Sequence, residues 1–288
     1  MNQIVVNQKT SNIDGVKIDA STITVLKNTV LDDTLTIKLI DRSTENLTIN
    51  VENNAIVKII FEIQDALKTE ANYNIVLNTF NNTNVKFLFI ADVAHEGVLN
   101  FKGNAYNDSN IEFIGSFISN KLTAKVHLDL LGRGANLKVR TITVSALNNN
   151  QVLDVHMIHH APNTFADMTN IGIASGEGIV KLNGVGEINQ GMKGSSAFQT
   201  LRGIITSDKA QIDVNPILII DEFDVTAGHA ATVGKIEEEV LYYLMSRGLP
   251  EVEAQKLIIY GFLRPVLDEI DDALIKEHVE KIIDERIW

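Results

Sequence analysis

Histidine and carboxylate side chains are the residues of this chain that could take part in chemistry, because cysteine is absent. Without a thiol, the chain can form no disulfide and can offer no thiolate to a metal. A metal site built from this chain alone would therefore need imidazole nitrogens and carboxylate oxygens as its ligands.

Three of the seven histidines fall close together, at His156, His159 and His160. The segment Val152–His159 alternates apolar and polar residues, which predicts a strand. Along a strand, His156 and His160 point to one face and His159 to the other, so only two of the three converge without a bend. The spacing also differs from HExxH and comparable metal-binding patterns. We expect histidines at a strand edge here, with a metal site as the weaker alternative.

Glycines are concentrated between Gly172 and Gly194, but their spacing carries no nucleotide-binding pattern. The GVGEIN string at Gly184 lacks the GxGxxG helix start of a dinucleotide-binding fold. The sequence also contains no Walker A string and no GxSxG nucleophile elbow. We interpret these glycines as turn residues and predict no catalytic and no cofactor-binding residues; nucleotide hydrolysis would belong to a partner.

The composition is that of a folded, acidic protein. The 288 residues are 45% hydrophobic and 22% charged, which suits a large core. A net charge of −12 argues against a nucleic-acid binder, which needs a basic patch. The opening residues lack the features of a signal peptide, and no apolar run is long enough to span a membrane. We expect a cytoplasmic protein that binds neither nucleic acid nor membrane.

The first three quarters of the chain predict an all-β fold. Short segments such as Leu35–Ile40, Val85–Ile90 and Lys125–Leu131 alternate apolar with polar or β-branched residues, and Asn, Asp and Gly clusters separate them. Sandwiches and barrels remain open, but three features favour a solenoid: even strand spacing, a region of about 220 residues, and abundant asparagine, which stacked coils can pair in ladders.

The character of the sequence changes near residue 216, since all asparagines lie at or before Asn215. The remainder predicts helices. A first helix begins near Lys235, Gly248 can end it, and Pro250 can begin a second one.

Two further helical segments are predicted at Pro265–Ile270 and Ala273–Trp288. Because an uncovered terminal coil is an aggregation edge, a solenoid must protect its end. We therefore predict a solenoid core over residues 1–232 and a helical cap domain over residues 233–288.

The string FDVTAGHAATVGKIEEEVLYYLMSRGL, residues 223–249, resembles the C-terminal signature of the SufB/SufD family, the scaffold proteins of the SUF iron–sulfur cluster assembly system. The matching positions are Asp224-Val225, His229–Thr232, Gly234 and Leu241–Gly248. The downstream string GFLRPVLDEI and the central stretch beginning HHAPNTF extend the resemblance over roughly residues 131–283. It implies a right-handed parallel β-helix with a C-terminal helical domain.

The resemblance also implies a function and partners. In the family, SufB and SufD pair through their β-helices, and each helical domain docks a SufC ATPase. We therefore expect a non-catalytic, SufD-like scaffold subunit that docks a SufC-type ABC ATPase through residues 234–288. It would pair with a SufB-like subunit or with a second copy of itself. No cofactor is expected to bind stably to this chain alone, and iron or an iron–sulfur cluster would be held transiently in the complex.

His229 is the candidate metal-ligating residue, because it matches an interface histidine that SufD-type members carry. SufB-type members have Glu after this histidine and a nearby cysteine, whereas Ala230 follows here and cysteine is absent. The chain thus resembles SufD more than SufB, and a partner would supply the sulfur ligands. A packing role for His229 at the strand-to-helix junction stays open. Glu222 and Asp224 are either additional oxygen ligands or solvated strand-end carboxylates.

For the contact with the ATPase, the candidate anchors are aromatic and apolar residues of the helical region. They are Tyr243, Leu257, Tyr260, Phe262 and Leu263. The alternative is that most of these side chains form the core of the helical region.

A second functional class is a β-helical carbohydrate-active enzyme of the lyase or hydrolase type. Such an enzyme needs carboxylates, or Arg and Lys, clustered on one face of a sheet. Fold alone does not decide between this class and a scaffold.

Overall fold

The computed structural model describes residues 2–6, 13–19, 21–40, 45–67, 69–93 and 96–288, and places their strands in two nine-stranded sheets. Sheet I contains, in spatial order, β1 (Asn2–Val5), β4 (Leu35–Ile40), β6 (Ile56–Asp65), β8 (Asn84–Val93), β10 (Asn110–Phe117), β12 (Asn136–Ser145), β14 (Phe165–Ala174), β16 (Ser196–Ile205) and β18 (Thr226–Lys235). Sheet II contains β2 (Val16–Asp19), β3 (Thr22–Val25), β5 (Asn46–Val51), β7 (Ala71–Thr79), β9 (Glu96–Ala105), β11 (Lys121–Leu130), β13 (Asn150–His159), β15 (Ile179–Ile188) and β17 (Gln211–Ile220).

The chain moves from one sheet to the other and back, so each coil gives one strand to each sheet. From β3 onward, every strand pairs in parallel with the strand one coil away. Only β2 runs antiparallel to its neighbour β3 in the described residues. Side chains that hydrogen-bond between neighbouring coils are mostly 26 to 32 residues apart in sequence. This arrangement is a β-solenoid and confirms the predicted β-helix.

Every strand turns alternate side chains toward the lumen between the sheets. In the N-terminal coils the lumen is filled by buried phenylalanines whose neighbouring ring centroids lie 4.9 to 6.4 Å apart. These are Phe61, Phe87, Phe89, Phe101, Phe113 and Phe117. The apolar alternation that predicted the strands is therefore the alternation that fills the core.

Asparagines support the turns between coils. Asn28, Asn54 and Asn82 occupy equivalent turns with φ of 60°, 62° and 55°, a left-handed conformation that asparagine tolerates better than most residues. The Asn54 amide Nδ2 donates to Asn28 Oδ1 at 2.8 Å, and Asn82 Nδ2 donates to Asn54 Oδ1 at 2.9 Å. Further ladders join Asn46 to Asn74 and Asn100, and Asn50 to Asn78 and Asn104. The predicted asparagine ladders are confirmed.

A C-terminal helical region follows the strands, as predicted, but it contains three helices and not four: α1 (Glu238–Ser246), α2 (Glu251–Leu267) and α3 (Ala273–Ile287). Their placement differs from the predicted cap. Helices α2 and α3 lie along the outer face of sheet I and leave the end of the solenoid uncovered. The reason is that outward positions of sheet I are themselves apolar and need burial. The contact joins Ile259, Leu263, Val266, Val279 and Ile283 to Leu88, Ile114, Ile142, Ile171 and Ile204.

Ion pairs hold the turn between α2 and α3 against the same sheet. Asp271 accepts hydrogen bonds from Lys58 and Lys86, each at 2.9 Å, and Glu269 accepts one from Lys138 at 2.6 Å. These lysines lie at matching positions on β6, β8 and β12, so the acidic turn crosses several coils.

The helix ends agree in part with the sequence analysis. Gly248 follows the C-cap of α1 with φ of 96°, and Pro250 is the N-cap of α2, as predicted. The prediction of a separate segment at Pro265–Ile270 was wrong, because Pro265 lies inside α2. The division drawn after residue 232 falls within β18. No helix among the described residues is long and apolar enough to cross a membrane.

Candidate functional site at the open end of the solenoid

The last coil exposes two long strand edges. Strands β17 and β18 span ten residues each, and each is hydrogen-bonded to a neighbour on one side only in the described structure. The lumen-facing residues of β17 are only half-buried, and almost every residue of β18 is exposed. Free backbone N–H and C=O groups in such an edge can pair with another strand. This end of the molecule, which we call the open end, therefore presents unpaired backbone groups along two edges of the described structure.

His229 lies at the rim of the lumen at the open end. It is the in-register neighbour of Gln199, which is 2% exposed and points inward. Neighbouring residues in register share a face of the sheet, so His229 stands on the lumen side of β18. It is exposed because no coil covers it among the described residues. Below it, Gln199 Nε2 donates across the lumen to the Ile217 carbonyl oxygen of β17 at 2.8 Å.

The two nearby carboxylates serve different local roles. Glu222 accepts backbone N–H bonds from Gly191 at 2.9 Å, Phe223 at 3.0 Å and Asp224 at 3.3 Å. The Asp224 N–H contributes most to a lowered pKa of Glu222, and burial opposes the shift. Glu222 thus stabilises the connection between β17 and β18. The Asp224 side chain is exposed, and its carbonyl oxygen accepts from the Gly194 N–H at 2.7 Å.

The open end holds no complete metal site of its own. Across the described part of the chain, no group of three or more His, Cys, Asp or Glu residues could hold a metal ion. His229 can therefore offer one nitrogen ligand at most, and the remaining ligands of any metal there must come from elsewhere.

The three neighbouring histidines of the sequence analysis separate in space. His156 lies on the outer face of sheet II, where its Nε2 is 2.9 Å from Glu187 Oε2. His160 follows the end of β13, and its Nε2 is 3.0 Å from Asp129 Oδ1. His159 points inward and is fully buried. The structure thus follows the expected alternation and does not bring all three histidines together.

Sequence analysis missed two residues beside them, His127 and Asp129. His127 Nε2 lies 3.1 Å from Asp129 Oδ1, and the rings of His127 and His156 have centroids 5.2 Å apart. Burial raises the pKa of Asp129, but hydrogen bonds and charge from His127 and His160 outweigh it and hold the pKa at about 2. The available signal was the coil length, since His127 precedes His156 by one coil and pairs with it in register.

Buried His159 has an unusual environment. Its Nδ1 lies 2.7 Å from Thr164 Oγ1, while its Nε2 has no hydrogen-bond partner. Burial lowers the pKa of His159 to about 4, and the charge of His160 adds to the effect. The side chain is therefore a neutral lumen residue at neutral pH.

Helix α1 presents an apolar surface that no other part of the described structure covers. No residue of α1 is buried. The exposed fractions are 75% for Tyr242, 56% for Tyr243 and 41% for Met245. Leu257 of α2 adds another exposed apolar side chain, also at 56%. Exposed apolar residues grouped in this way mark interaction sites more often than solvated surface.

Three of the five predicted anchors are packed within the protein. Leu263 is fully buried between α2 and sheet I. The Arg202 guanidinium carbon lies 4.2 Å from the ring centroid of half-buried Phe262. The Tyr260 hydroxyl is 2.9 Å from Asp284 Oδ1, which joins α2 to α3. These three side chains hold the helices in place, so only Tyr243 and Leu257 present substantial exposed surface.

Comparison with known proteins identifies the family. Residues 38–262 match the family model described as SUF system FeS cluster assembly, SufBD core domain. The iron–sulfur cluster assembly protein SufD of Bacillus subtilis is 34% identical over 224 residues, covering 76% of this chain and 51% of that protein. A SufBD family protein of Staphylococcus epidermidis is 31% identical over 193 residues, covering 62% and 41%.

A SufBD family protein of Mycobacterium bovis is 31% identical over 191 residues, covering 62% of this chain and 23% of that protein. The chain thus spans about half the length, or less, of these curated relatives. The matched residues include most of the solenoid, the open end, α1 and much of α2. The chain therefore belongs to the SufB/SufD family of iron–sulfur cluster assembly proteins and is closer to SufD.

Proposed function

We propose that this protein is a non-catalytic, SufD-like scaffold subunit that works in the cytoplasm and pairs through its open end with a SufB-like subunit or a second copy. The observation that carries this proposal is the exposed last coil. Its two ten-residue edges offer backbone hydrogen bonds to another solenoid end. A partner that presents a matching end would also cover the half-buried lumen residues of β17.

Iron or an iron–sulfur cluster is the cargo of the proposed complex. His229 stands at the rim where the partner docks, and a neutral imidazole nitrogen is a suitable ligand for iron. The chain contains no cysteine, so the partner or a sulfur donor supplies the sulfur ligands. His229 would thus complete a site that neither subunit holds alone.

The surface of α1 is the proposed dock for a SufC-type ATPase. Tyr243 and Leu257 remain the anchors, and exposed Tyr242 and Met245 extend the same apolar surface. Large aromatic side chains at the centre of an interface contribute more of the binding energy than their neighbours. The chain carries no nucleotide-binding pattern, so ATP binding is assigned to the partner.

The pairing is tested by mixing the purified chain with a SufB-like subunit and measuring mass by light scattering. Ala231→Glu places a charge on the lumen side of β18 at the open end and is expected to abolish the complex. Thr123→Glu, on the outer face of sheet II, is the matched control and should leave it intact. A chain that stays monomeric with or without the SufB-like subunit contradicts the pairing.

The dock is tested by binding to the purified ATPase. Tyr242→Ala combined with Tyr243→Ala is expected to weaken binding by at least 100-fold, or about 3 kcal/mol. Leu274→Ala is the control, because Leu274 is 73% exposed on α3, away from α1. Equal binding by both variants would remove α1 from the interface.

The role of His229 is tested in the reconstituted complex. His229→Ala should leave the complex assembled but reduce the iron–sulfur absorption that develops on reconstitution. His127→Ala changes a half-buried histidine on the outer face of sheet II and serves as the control. An unchanged yield of cluster in His229→Ala assigns the histidine a packing role instead.

A further inference from the structure

Unpaired polar atoms are concentrated in the lumen of the C-terminal coils. In the described residues, six buried side-chain nitrogen or oxygen atoms have no hydrogen-bond partner. Four of the six belong to Thr143, His159, Asn170 and Gln199, on strands β12 to β16. Buried polar atoms in native proteins are almost always satisfied by protein or by bound water, so this concentration needs an explanation.

Two of these atoms complement each other. Thr141 Oγ1 donates to Asn170 Oδ1 at 2.8 Å, which leaves the donor Asn170 Nδ2 unpaired. Gln199 Nε2 donates to the Ile217 carbonyl oxygen at 2.8 Å, which leaves the acceptor Gln199 Oε1 unpaired. The bonds they already make orient both amides, so a free donor on one residue corresponds to a free acceptor on the other.

The strand register brings the two amides close together. Strands β14 and β16 are parallel neighbours in which Met168 lies opposite Gln199, and Asn170 lies opposite Leu201. Asn170 and Gln199 are therefore diagonal neighbours on the lumen face, within reach of each other through long side chains. Both are buried, with 0% and 2% exposed surface.

We propose that one bound water molecule accepts a hydrogen bond from Asn170 Nδ2 and donates one to Gln199 Oε1. A buried water needs two to four polar partners, and these two atoms supply a donor and an acceptor. Thr143 Oγ1 is a third unpaired group on the same lumen face. With this water, Thr141, Asn170, Gln199 and the Ile217 carbonyl form a continuous polar spine.

The polar spine positions the open end. Ile217 belongs to β17, which has a hydrogen-bonded neighbour on one side only, β15. The bond from Gln199 is a further restraint that ties this edge strand to sheet I across the lumen. Gln199 is thus a positioning residue for β17. The inference concerns the free chain and does not depend on the proposed pairing or on iron.

The test is a double-mutant cycle in the full chain. The measured quantity is the hydrogen-exchange rate of the peptide that covers Gln211–Ile220. Asn170→Leu and Gln199→Met each remove one end of the water bridge. Each is expected to raise the exchange rate of this peptide about ten-fold, because each leaves the other amide with an unpaired group in the lumen, and Gln199→Met also removes the bond to Ile217. The double variant should exchange no faster than the faster single variant, since it removes the whole bridge.

The control cycle combines Gln199→Met with Leu128→Met, which changes a lumen residue of β11. The effects of these two substitutions on the exchange rate should multiply. If the effects of the Asn170 and Gln199 variants on the exchange rate also multiply, the two amides are not coupled. Single variants with an unchanged exchange rate would lead to the same conclusion. A crystal structure that resolves ordered water should show density in contact with both amides. Direct contact between the amides, or no density between them, overturns the bound water.

Discussion

The N-terminal and C-terminal coils share one backbone architecture but have different interiors. Following one lumen position along sheet I, Phe89 lies in register with Gly115, which is followed by Thr141, Asn170 and Leu201 on successive strands. Stacked phenylalanines fill the early coils, whereas the later coils combine aliphatic side chains with small and polar ones. A solenoid can therefore change its interior from coil to coil, because each coil contacts only its neighbours.

Close approach of the two sheets accompanies the smaller side chains. A Cβ added at Gly186 would lie 2.7 Å from Gln199 Nε2, and one at Gly203 would lie 2.7 Å from Ile212 Cγ2. Burial of apolar area stabilises the aromatic coils, whereas the C-terminal coils also bury polar side chains that need hydrogen-bond partners. The difference places the more polar interior beside the end that is proposed to bind a partner.

The largest expected effect comes from the aromatic coils. Phe89→Ala should lower the free energy of unfolding by about 3–5 kcal/mol, because it opens a cavity in a fully buried stack. Phe165→Ala, at a side chain that is 41% exposed, should cost about 1 kcal/mol or less. Chemical denaturation of both variants measures the difference. Similar losses would show that the stack contributes no more than surface aromatics do.

The C-terminal interior should instead show a pH dependence. Burial lowers the pKa of His159 to about 4 from an ordinary value of 6.5, so the unfolded chain binds this proton more readily than the folded chain. Stability should therefore fall as pH drops from 6.5 to 4, by on the order of 3 kcal/mol from this group. Denaturation at a series of pH values measures the loss.

His159→Leu should remove that part of the pH dependence. Met157→Leu changes a neighbouring lumen residue of β13 and should retain it. If the curves of His159→Leu and the unaltered protein have the same slope between pH 4 and 6.5, the histidine is not the titrating group.

The asparagine ladders of the N-terminal coils should contribute less. Asn54→Ala removes two inter-coil hydrogen bonds and places alanine at a φ of 62°, so stability should fall by about 1–2 kcal/mol. Asn148→Ala, at an exposed turn residue of a later coil, is the control. A shift in the thermal midpoint no larger than that of the control would make the ladders dispensable.

The smallest effect is expected at a turn of the later coils. Leu147 is 70% exposed and has a φ of 58°, a conformation that is unfavourable for leucine. Leu147→Asn should raise the free energy of unfolding by about 0.5–1 kcal/mol, measured by denaturation. A destabilised variant would show that the leucine makes contacts that offset its backbone strain.

Sequence patterns predicted the solenoid, its ladders and the helical region, because strand alternation and turn chemistry are local properties. The position of the helices was not anticipated, although a signal was present. Segments such as Leu88-Phe89-Ile90 and Ile171-Gly172-Ile173 lack polar outward residues, which indicates strands buried on both faces. Reading them in that way would have placed α2 and α3 on sheet I.

The site was predictable only in part. The resemblance singled out His229, but its place at the lumen rim follows from its in-register pairing with Gln199 of the preceding coil. Because the coils differ in length, the sequence alone does not give this pairing. The burial of Leu263 depends on the packing of α2 on sheet I, which helix periodicity alone does not reveal. The match between the amides of Asn170 and Gln199 is invisible without the register.

The two ends of the described solenoid are unequal, and the difference bears on the proposed pairing. The strands β1, β2 and β3 have four residues each, and β2 runs against its neighbour, whereas β17 and β18 have ten. A head-to-tail stack would join a long parallel edge to a short, partly reversed one and leave most of its hydrogen bonds unmade. In the proposed pairing, two open ends would join and use both long edges at once, so that the pair would close and not extend into a filament.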